Sequence, residues 1–403
     1  MKKLRFLPIL FALLIVLSGC SFIEVNAERD GAQIVAKVND ETITKKEVYD
    51  YVGYTWDDEV KANDKDTRQY YKEQALEVLI SRMVILQKAK EEGYYTFSSD
   101  EKKEIEDTVA GYTQSVYDEA LEKYKKEAET DTSIDPEKKA QEDVDAYLKN
   151  LGYTKDELVK QEEDGKAYTK LQASITDAVE LTDDDVQSAY DTELSSQQTS
   201  YDTTPAQLIS DDLDGKTILY YPNADFVRVR QILIKLPDDT VTEIQQYRTD
   251  GNDAEAEALR DSALKEIAAK AAEVLEKAKA TGADLEALIT EYGEDPGMES
   301  RTNGYPVTKD YTGYVEGFTE AAMSLTEIGK PSDLVATDYG YHIMWLTEKP
   351  AKGAVAYDSV KDALKETTLA DKKDEAWSTA VSGWITGLED SGKLVRYTKR
   401  LAD

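Results

Sequence analysis

Apolar residues return every third or fourth position through most of residues 45–190 and again beyond 351, whereas strict alternation is confined to short runs. The first spacing puts one apolar stripe on a helix; the second puts one apolar face on a strand. Ile34, Val35 and Val38 predict a short strand, closed by a turn at Asn39-Asp40. Thr44 then stands as an N-cap with Glu47 three residues on, the spacing of a capping box. Leu76, Leu79, Ile80, Met83, Leu86 and Gln87 trace one face of an amphipathic helix that Gly93 stops. Ser98 with Glu101 opens a long charged helix, Pro136 breaks the chain before another at about 137–149, and Thr154 with Glu157 opens one more. Thr182 caps the next. Residues 34–191 therefore read as one helical domain after a single strand.

From 192 to 225 the helical period is lost in "SSQQTSYDTTPAQLISDDLDGK", and a polar, turn-rich linker is expected there. "FVRVRQILIK" then alternates: Val227, Val229, Gln231 and Leu233 face one way, Arg228, Arg230, Ile232 and Ile234 the other, as on a strand. A polar excursion leads into the helix "ALKEIAAKAAEVLEKAKATG", ended by Gly282. A short helix "DLEALITEYG", a loop "DPGMESRTNGYP", a short helix "TEAAMSLTEIGK" and a strand "GYHIMWLTEK" follow. Over 351–403 a stripe of Val360, Leu364, Trp377, Trp384, Ile385 and Leu388 needs a surface to pack on, and the N-terminal helices are the expected one. The fold class this predicts is α+β: a mostly helical module built from both ends of the chain, with a domain of small antiparallel sheet and helices, residues 226–350, inserted between them.

The leader changes the picture of where such a chain works. "MKKLRFLPILFALLIVLSGC" has a basic start and an apolar run from Phe6 to Leu17, the pattern of a secretory signal and too short to span a bilayer as an ordinary helix. Its end, Leu17-Ser18-Gly19-Cys20, resembles the lipobox of bacterial lipoproteins. That resemblance implies cleavage after residue 19, a lipid on Cys20, a tether over 20–33 and a protein held on the extracytoplasmic face of the cell membrane. Cys20 is the chain's one cysteine, so no internal disulfide is available. The net charge is −33, and losing Lys2, Lys3 and Arg5 with the leader makes it three units more negative. Such a surface repels nucleic acid, and neither that partner nor a cofactor is expected. With one histidine and one cysteine, a transition-metal site has almost no ligands, so no metal is expected either.

That one histidine, His342, sits in the run "LVATDYGYHIMWLTEK". The order of elements over 226–348 resembles the parvulin family of peptidyl-prolyl isomerases. Three stretches carry the likeness: "VRVRQILIKL", "EYGEDPG", and "FTEAAMSLTEIGKPSDLVATDYGYHIMWLTE". The flanking helical parts resemble the chaperone module of SurA- and PrsA-like foldases. The resemblance implies a site: His342 as the strand histidine, Thr337 as the threonine just before it that hydrogen-bonds in the family's core network, and Asp295 where the family places an acid or thiol. Phe318, Met323 and Tyr314 become the walls of a proline pocket. Two departures stand out. The first-strand position where parvulins usually carry a second histidine is Gln231, and the family's glycine-rich turn is replaced by "SRTNGYPVTKDYTGY". The segment "PDDTVTEIQQ" is acidic where a phosphate reader would need arginine or lysine, so no preference for phosphorylated clients is expected.

Two functions of different class follow. One is a membrane-anchored isomerase of X-Pro bonds that also chaperones unfolded secreted proteins. The other is a holdase in which a weak or inactive parvulin domain only helps to bind them, a reading that Gln231 and the missing glycine turn favour. The sequence leaves open which clients are bound and whether the chain forms a dimer.

Overall fold

A computed structural model of the chain describes residues 27–53 and 65–401. The signal sequence and Cys20 lie outside the described residues. The chain divides into two compact units: residues up to Val179 together with those from Asp371, and Glu180–Ala370.

In the first unit a hairpin of β1 (Ile34–Val38) and β2 (Glu41–Thr44) precedes the helices, so the segment read as one strand is two. The C-terminal end returns to pair with it: strand Leu394–Arg396 runs antiparallel to β1, giving a three-stranded sheet with β1 at its centre. Val35, Val38, Ile43 and Val48 are buried with Leu76 and Ile80 from helix Lys65–Glu91, beside Trp384, Ile385 and Leu388 of helix Tyr357–Asp390. Gln87 ends the same stripe by accepting from Asn39 at 2.7 Å, which fastens the hairpin turn to that helix. Part of the expected tether is folded: Ala27–Gly31 is helical, and its Asp30 pairs with the buried Lys45 at 2.9 Å.

The capping boxes are all present. Thr44, Ser98, Thr154 and Thr182 each accept from the backbone three residues on and receive a carboxylate in return, from Glu47, Glu101, Glu157 and Asp185. Each opens a helix: Lys45–Val52, Ser99–Ala128, Lys155–Thr176 and Asp183–Thr203. Helix Pro136–Asn150 begins with its proline at the first turn, where the missing N–H costs nothing.

The second unit departs from expectation at its start. Residues 192–225 are not an irregular linker: 192–203 complete helix Asp183–Thr203, and Ala206–Leu213 forms another. Helix Asp183–Thr203 buries Val186, Tyr190 and Tyr201, and partly Leu194, at helical spacing, but its second half is otherwise polar and puts Gln197 on that same face. Its buried polar groups bond to the unit: Tyr201 donates to Asp211 at 2.9 Å, and Gln197 bonds Thr217 and Leu219. The C-terminal stripe splits accordingly. Val360 and Leu364 pack on Val186, Tyr190 and Leu219, while Trp377 and Trp384 pack on Ile85, Ala89, Ala167 and Leu171 of the first unit. A two-stranded ribbon joins β3 (Tyr220–Tyr221) to β8 (Gly353–Ala354).

The main sheet of this unit is antiparallel, in the order β5 (Tyr305–Val307), β4 (Val227–Lys235), β7 (Gly340–Glu348), β6 (Val335–Thr337). The alternation read along β4 holds, but both faces are covered. Ile232 and Ile234 pack with Ile343 and Trp345 against helix Asp253–Lys279; Val227 and Val229 pack with Met344 and Leu346 against Phe318 of helix Glu316–Ser324. The polar excursion before the long helix is itself a helix, Asp238–Thr249, buried through Val241 and Ile244.

Candidate active site

The face of the sheet under helix Glu316–Ser324 changes from apolar to polar where Gln231 and His342 meet. Gln231 stands opposite Met344 and His342 opposite Leu233, so the two polar residues are diagonal neighbours on one face. Both are buried, at 4% exposure each. His342 Nδ1 lies 2.5 Å from Gln231 Oε1, and Nε2 lies 2.7 Å from Thr337 Oγ1 at the end of β6. The amide nitrogen of Gln231 donates to Asp295 Oδ2 at 2.6 Å. Thr337 Oγ1 in turn accepts from the Tyr339 N–H at 3.1 Å.

These contacts fix every direction. A glutamine carbonyl oxygen can only accept, so Nδ1 carries the imidazole proton. The threonine hydroxyl, already accepting from a backbone N–H, donates to Nε2. Neutral His342 therefore sits in a one-way chain from the Tyr339 amide through Thr337, His342 and Gln231 to the carboxylate of Asp295. Burial pushes the His342 pKa down to about 4, against a smaller upward pull from Asp295. Because this is the only histidine, its ring protons give an unambiguous NMR signal. They are expected to stay at the neutral shift from pH 8 down to about 5 and to move only near pH 4; a midpoint near 6.5 would break the chain as drawn. The sign for stability follows. Between pH 6.5 and about 4 the unfolded chain binds a proton that the folded one refuses, so this group's contribution falls as pH falls, by about 3 kcal/mol over that window.

Asp295 owes its place to a loop docked on β4 beyond the point where β5 stops pairing. The Glu294 N–H donates to the Leu233 carbonyl at 2.9 Å, and the Glu294 carboxylate accepts from the Lys235 N–H at 2.8 Å. Besides Gln231, the Asp295 carboxylate accepts from the Gly297 N–H at 2.9 Å and from the Tyr305 hydroxyl at 3.2 Å to both oxygens. Burial, reinforced by Asp295, raises the Tyr305 hydroxyl to about 12, so it stays a donor. A Cβ at position 297 would lie 1.8 Å from the Tyr305 hydroxyl, so a side chain there displaces that hydroxyl from its place against Asp295. Asp295 itself is only half-buried, so the chain of donors ends on a carboxylate that a ligand can meet.

Above it lies an aromatic cluster. Phe318 packs edge-on against His342 with ring centres 5.6 Å apart, and Tyr314 lies 5.3 Å from Phe318 and 5.7 Å from Tyr305. Phe318 is 4% exposed, which makes it the floor of this region and not an open wall. Tyr314 and Met323 line a neighbouring cavity of about 770 Å³ with Tyr311, Thr319 and Lys309. The structure thus brings Asp295, Gln231, His342 and Thr337 into one connected group, with Phe318 and Tyr314 against it and Met323 in the same apolar cluster. Sequence reasoning missed Tyr305, which sits just after the one turn signal of its loop, Asn303-Gly304.

Residues 232–348 match the family model for the PPIC-type PPIase domain, and residues 2–130 match that for the SurA-like N-terminal domain. The chain is PrsA/SurA-like. It is 23% identical over 412 residues to foldase protein PrsA from Clostridium botulinum, covering 99% of this chain and 98% of that one. It is also 23% identical to foldase protein PrsA from Clostridium acetobutylicum over 376 residues, or 91% of this chain and 90% of the other. Among solved structures, PrsA from Bacillus subtilis aligns over 88% of this chain and 93% of its own, at 20% identity with a TM-score of 0.25. A SurA-like domain joined to a PPIC-type PPIase domain supports a foldase chaperone with a peptidyl-prolyl isomerase domain.

Proposed function

We propose that this PrsA/SurA-like chain is an extracytoplasmic foldase, anchored to the cell membrane by a lipid on Cys20, that binds unfolded or partly folded secreted proteins and speeds cis–trans isomerisation of their X-Pro bonds. The helical segments at the two ends of the chain are its chaperone module. The observation that carries the enzymatic part is the one-way hydrogen-bond chain that ends on the half-buried carboxylate of Asp295 beside Tyr305 and Tyr314.

Rotation about an X-Pro bond faces a barrier of roughly 18–20 kcal/mol because it destroys amide resonance. A planar amide carries excess negative charge on its carbonyl oxygen; the twisted amide carries less. A fixed carboxylate facing that oxygen therefore destabilises the planar form more than the twisted one, and only such a difference speeds the step. Gln231, Gly297 and Tyr305 hold Asp295 in place, and Tyr314 and Met323 offer apolar surface to the proline ring. His342 takes no proton, since the reaction releases none; its neutral ring keeps Gln231 turned so that its amide nitrogen faces Asp295. With Gln231 doing what a second imidazole would do, the site needs no group that titrates near neutral pH.

The test uses membranes from cells producing the full chain. The wild type is expected in the membrane fraction and Cys20→Ser in the soluble fraction, both accelerating isomerisation of an unphosphorylated X-Pro peptide equally per mole. A Cys20→Ser protein that stays with the membrane removes the lipid anchor from the proposal. A wild type that fails to accelerate the peptide, yet suppresses aggregation of an unfolded protein, leaves a holdase.

A further inference from the structure

We infer that Arg230 is a positioning residue for Asp295, holding the turn that supplies two of the carboxylate's three donors. The inference rests on the reading of Asp295 as the group that meets the X-Pro bond. Arg230 and Gln231 are neighbours on β4 and point to opposite faces. Gln231 reaches the Asp295 carboxylate itself, at 2.6 Å. Arg230, 6% exposed, reaches the backbone that follows Asp295. Its Nη1 donates to the Arg301 carbonyl at 2.6 Å and its Nη2 to the Met298 carbonyl at 3.3 Å.

Those carbonyls lie in and just after helix Gly297–Ser300, which is too short to satisfy its own last carbonyl groups. The Arg301 oxygen also accepts from the Gly304 N–H at 2.9 Å, so it fixes the turn that leads into Tyr305. Glu286 pairs with the guanidinium at 2.7 Å from a third side. The planar fork of an arginine can serve two carbonyls and a carboxylate together; a lysine ammonium on its flexible stem cannot hold all three in one geometry. Gly297 and Tyr305, the two donors to Asp295 that Gln231 does not provide, stand at the two ends of the segment that Arg230 grips. Loosening that segment leaves Asp295 its charge and its Gln231 bond but not its fixed position.

The experiment compares the chain from residue 21 with its Arg230→Met and Arg230→Lys forms. Hydrogen exchange is followed over peptides spanning 296–305 and 340–348, and kcat and KM are taken from exchange NMR on an X-Pro peptide. Arg230→Met is expected to speed exchange in 296–305 while 340–348 stays protected, and to lower kcat on the order of tenfold with KM little changed, as for a misplaced catalytic group. Arg230→Lys is expected to fall between the two on both readouts. Unchanged exchange in 296–305, or a loss of protection equal in both peptides, would overturn the inference and leave Arg230 a packing residue. If the wild type has no isomerase activity the enzymatic reading fails, and the exchange pattern alone still decides whether Arg230 holds the turn.

Discussion

Asp295→Ala is expected to remove X-Pro isomerisation by a factor of about 10²–10³, the scale on which one preorganised electrostatic group acts, while the sheet beneath it stays folded. The second half of that statement comes from burial. Asp295 is half-buried at the edge of the site, and its loop is held independently through the Glu294 bonds to Leu233 and Lys235. Truncation leaves the Gln231 amide and Tyr305 hydroxyl without their acceptor, a cost of about 1–3 kcal/mol for each group that water cannot reach. The informative companion is Asp295→Asn. Its side-chain oxygen can still accept from Gln231, so shape and one hydrogen bond survive while the charge goes. If the carboxylate works by disfavouring the charge-separated planar amide, Asn is nearly as inactive as Ala. Asn activity above half of wild type would show that the position serves only as an acceptor, and the electrostatic account would fail. Exchange NMR on an unphosphorylated peptide reads both variants without a coupling protease.

How much of this could be seen in the sequence depends on how local each cause is. Capping boxes are written within three residues, and Thr44, Ser98, Thr154 and Thr182 all stand where their spacing placed them. β4 and β7 are legible because valine alternates with arginine at the start of β4 and an apolar run, Ile343 to Leu346, fills the middle of β7. The helical pattern stops at 191 because the second half of helix Asp183–Thr203, rich in serine, glutamine and threonine, is held by tertiary bonds from Gln197 and Tyr201. β5 reads as loop because it has three residues and one of them is Pro306. At the site, the residue types came from a family likeness, but the wiring did not. Nothing in the order of residues says that Gln231 turns its oxygen to His342 and its nitrogen to Asp295. Arg230 is hidden for a physical reason as well: a charged residue on the alternate face of a strand reads as solvent-facing, and here it is covered by Glu286 of helix Leu285–Tyr292 and by the turn carrying Met298 and Arg301.

Gly340→Ala is expected to cost the second unit about 3 kcal/mol or more, from left-hand backbone strain of about 1–3 kcal/mol plus a clash that only backbone movement can relieve. Gly340 opens β7 with φ at +142°, pairs with Lys235 of β4 on one side and with Thr337 of β6 on the other. A Cβ there would lie 2.2 Å from the Ile234 carbonyl oxygen and 3.0 Å from the Lys235 Cα, both main-chain atoms of the central strand. Relief means parting β7 from β4 two residues before His342, at the end of the sheet that aligns His342 with Thr337 and Gln231. For a unit of this size, about 3 kcal/mol corresponds to a fall in Tm of roughly 6–12 °C. Gly329→Ala separates the two causes, because Gly329 also has positive φ, at +75°, but a Cβ there meets nothing within 4 Å. It should lose only the backbone term, about 1 kcal/mol, and keep its isomerase activity. Calorimetry on the two variants decides the matter: equal shifts in Tm would mean that the contact with Ile234 is absorbed without parting the strands, and that the alignment of His342 does not depend on the close approach of Gly340 to β4.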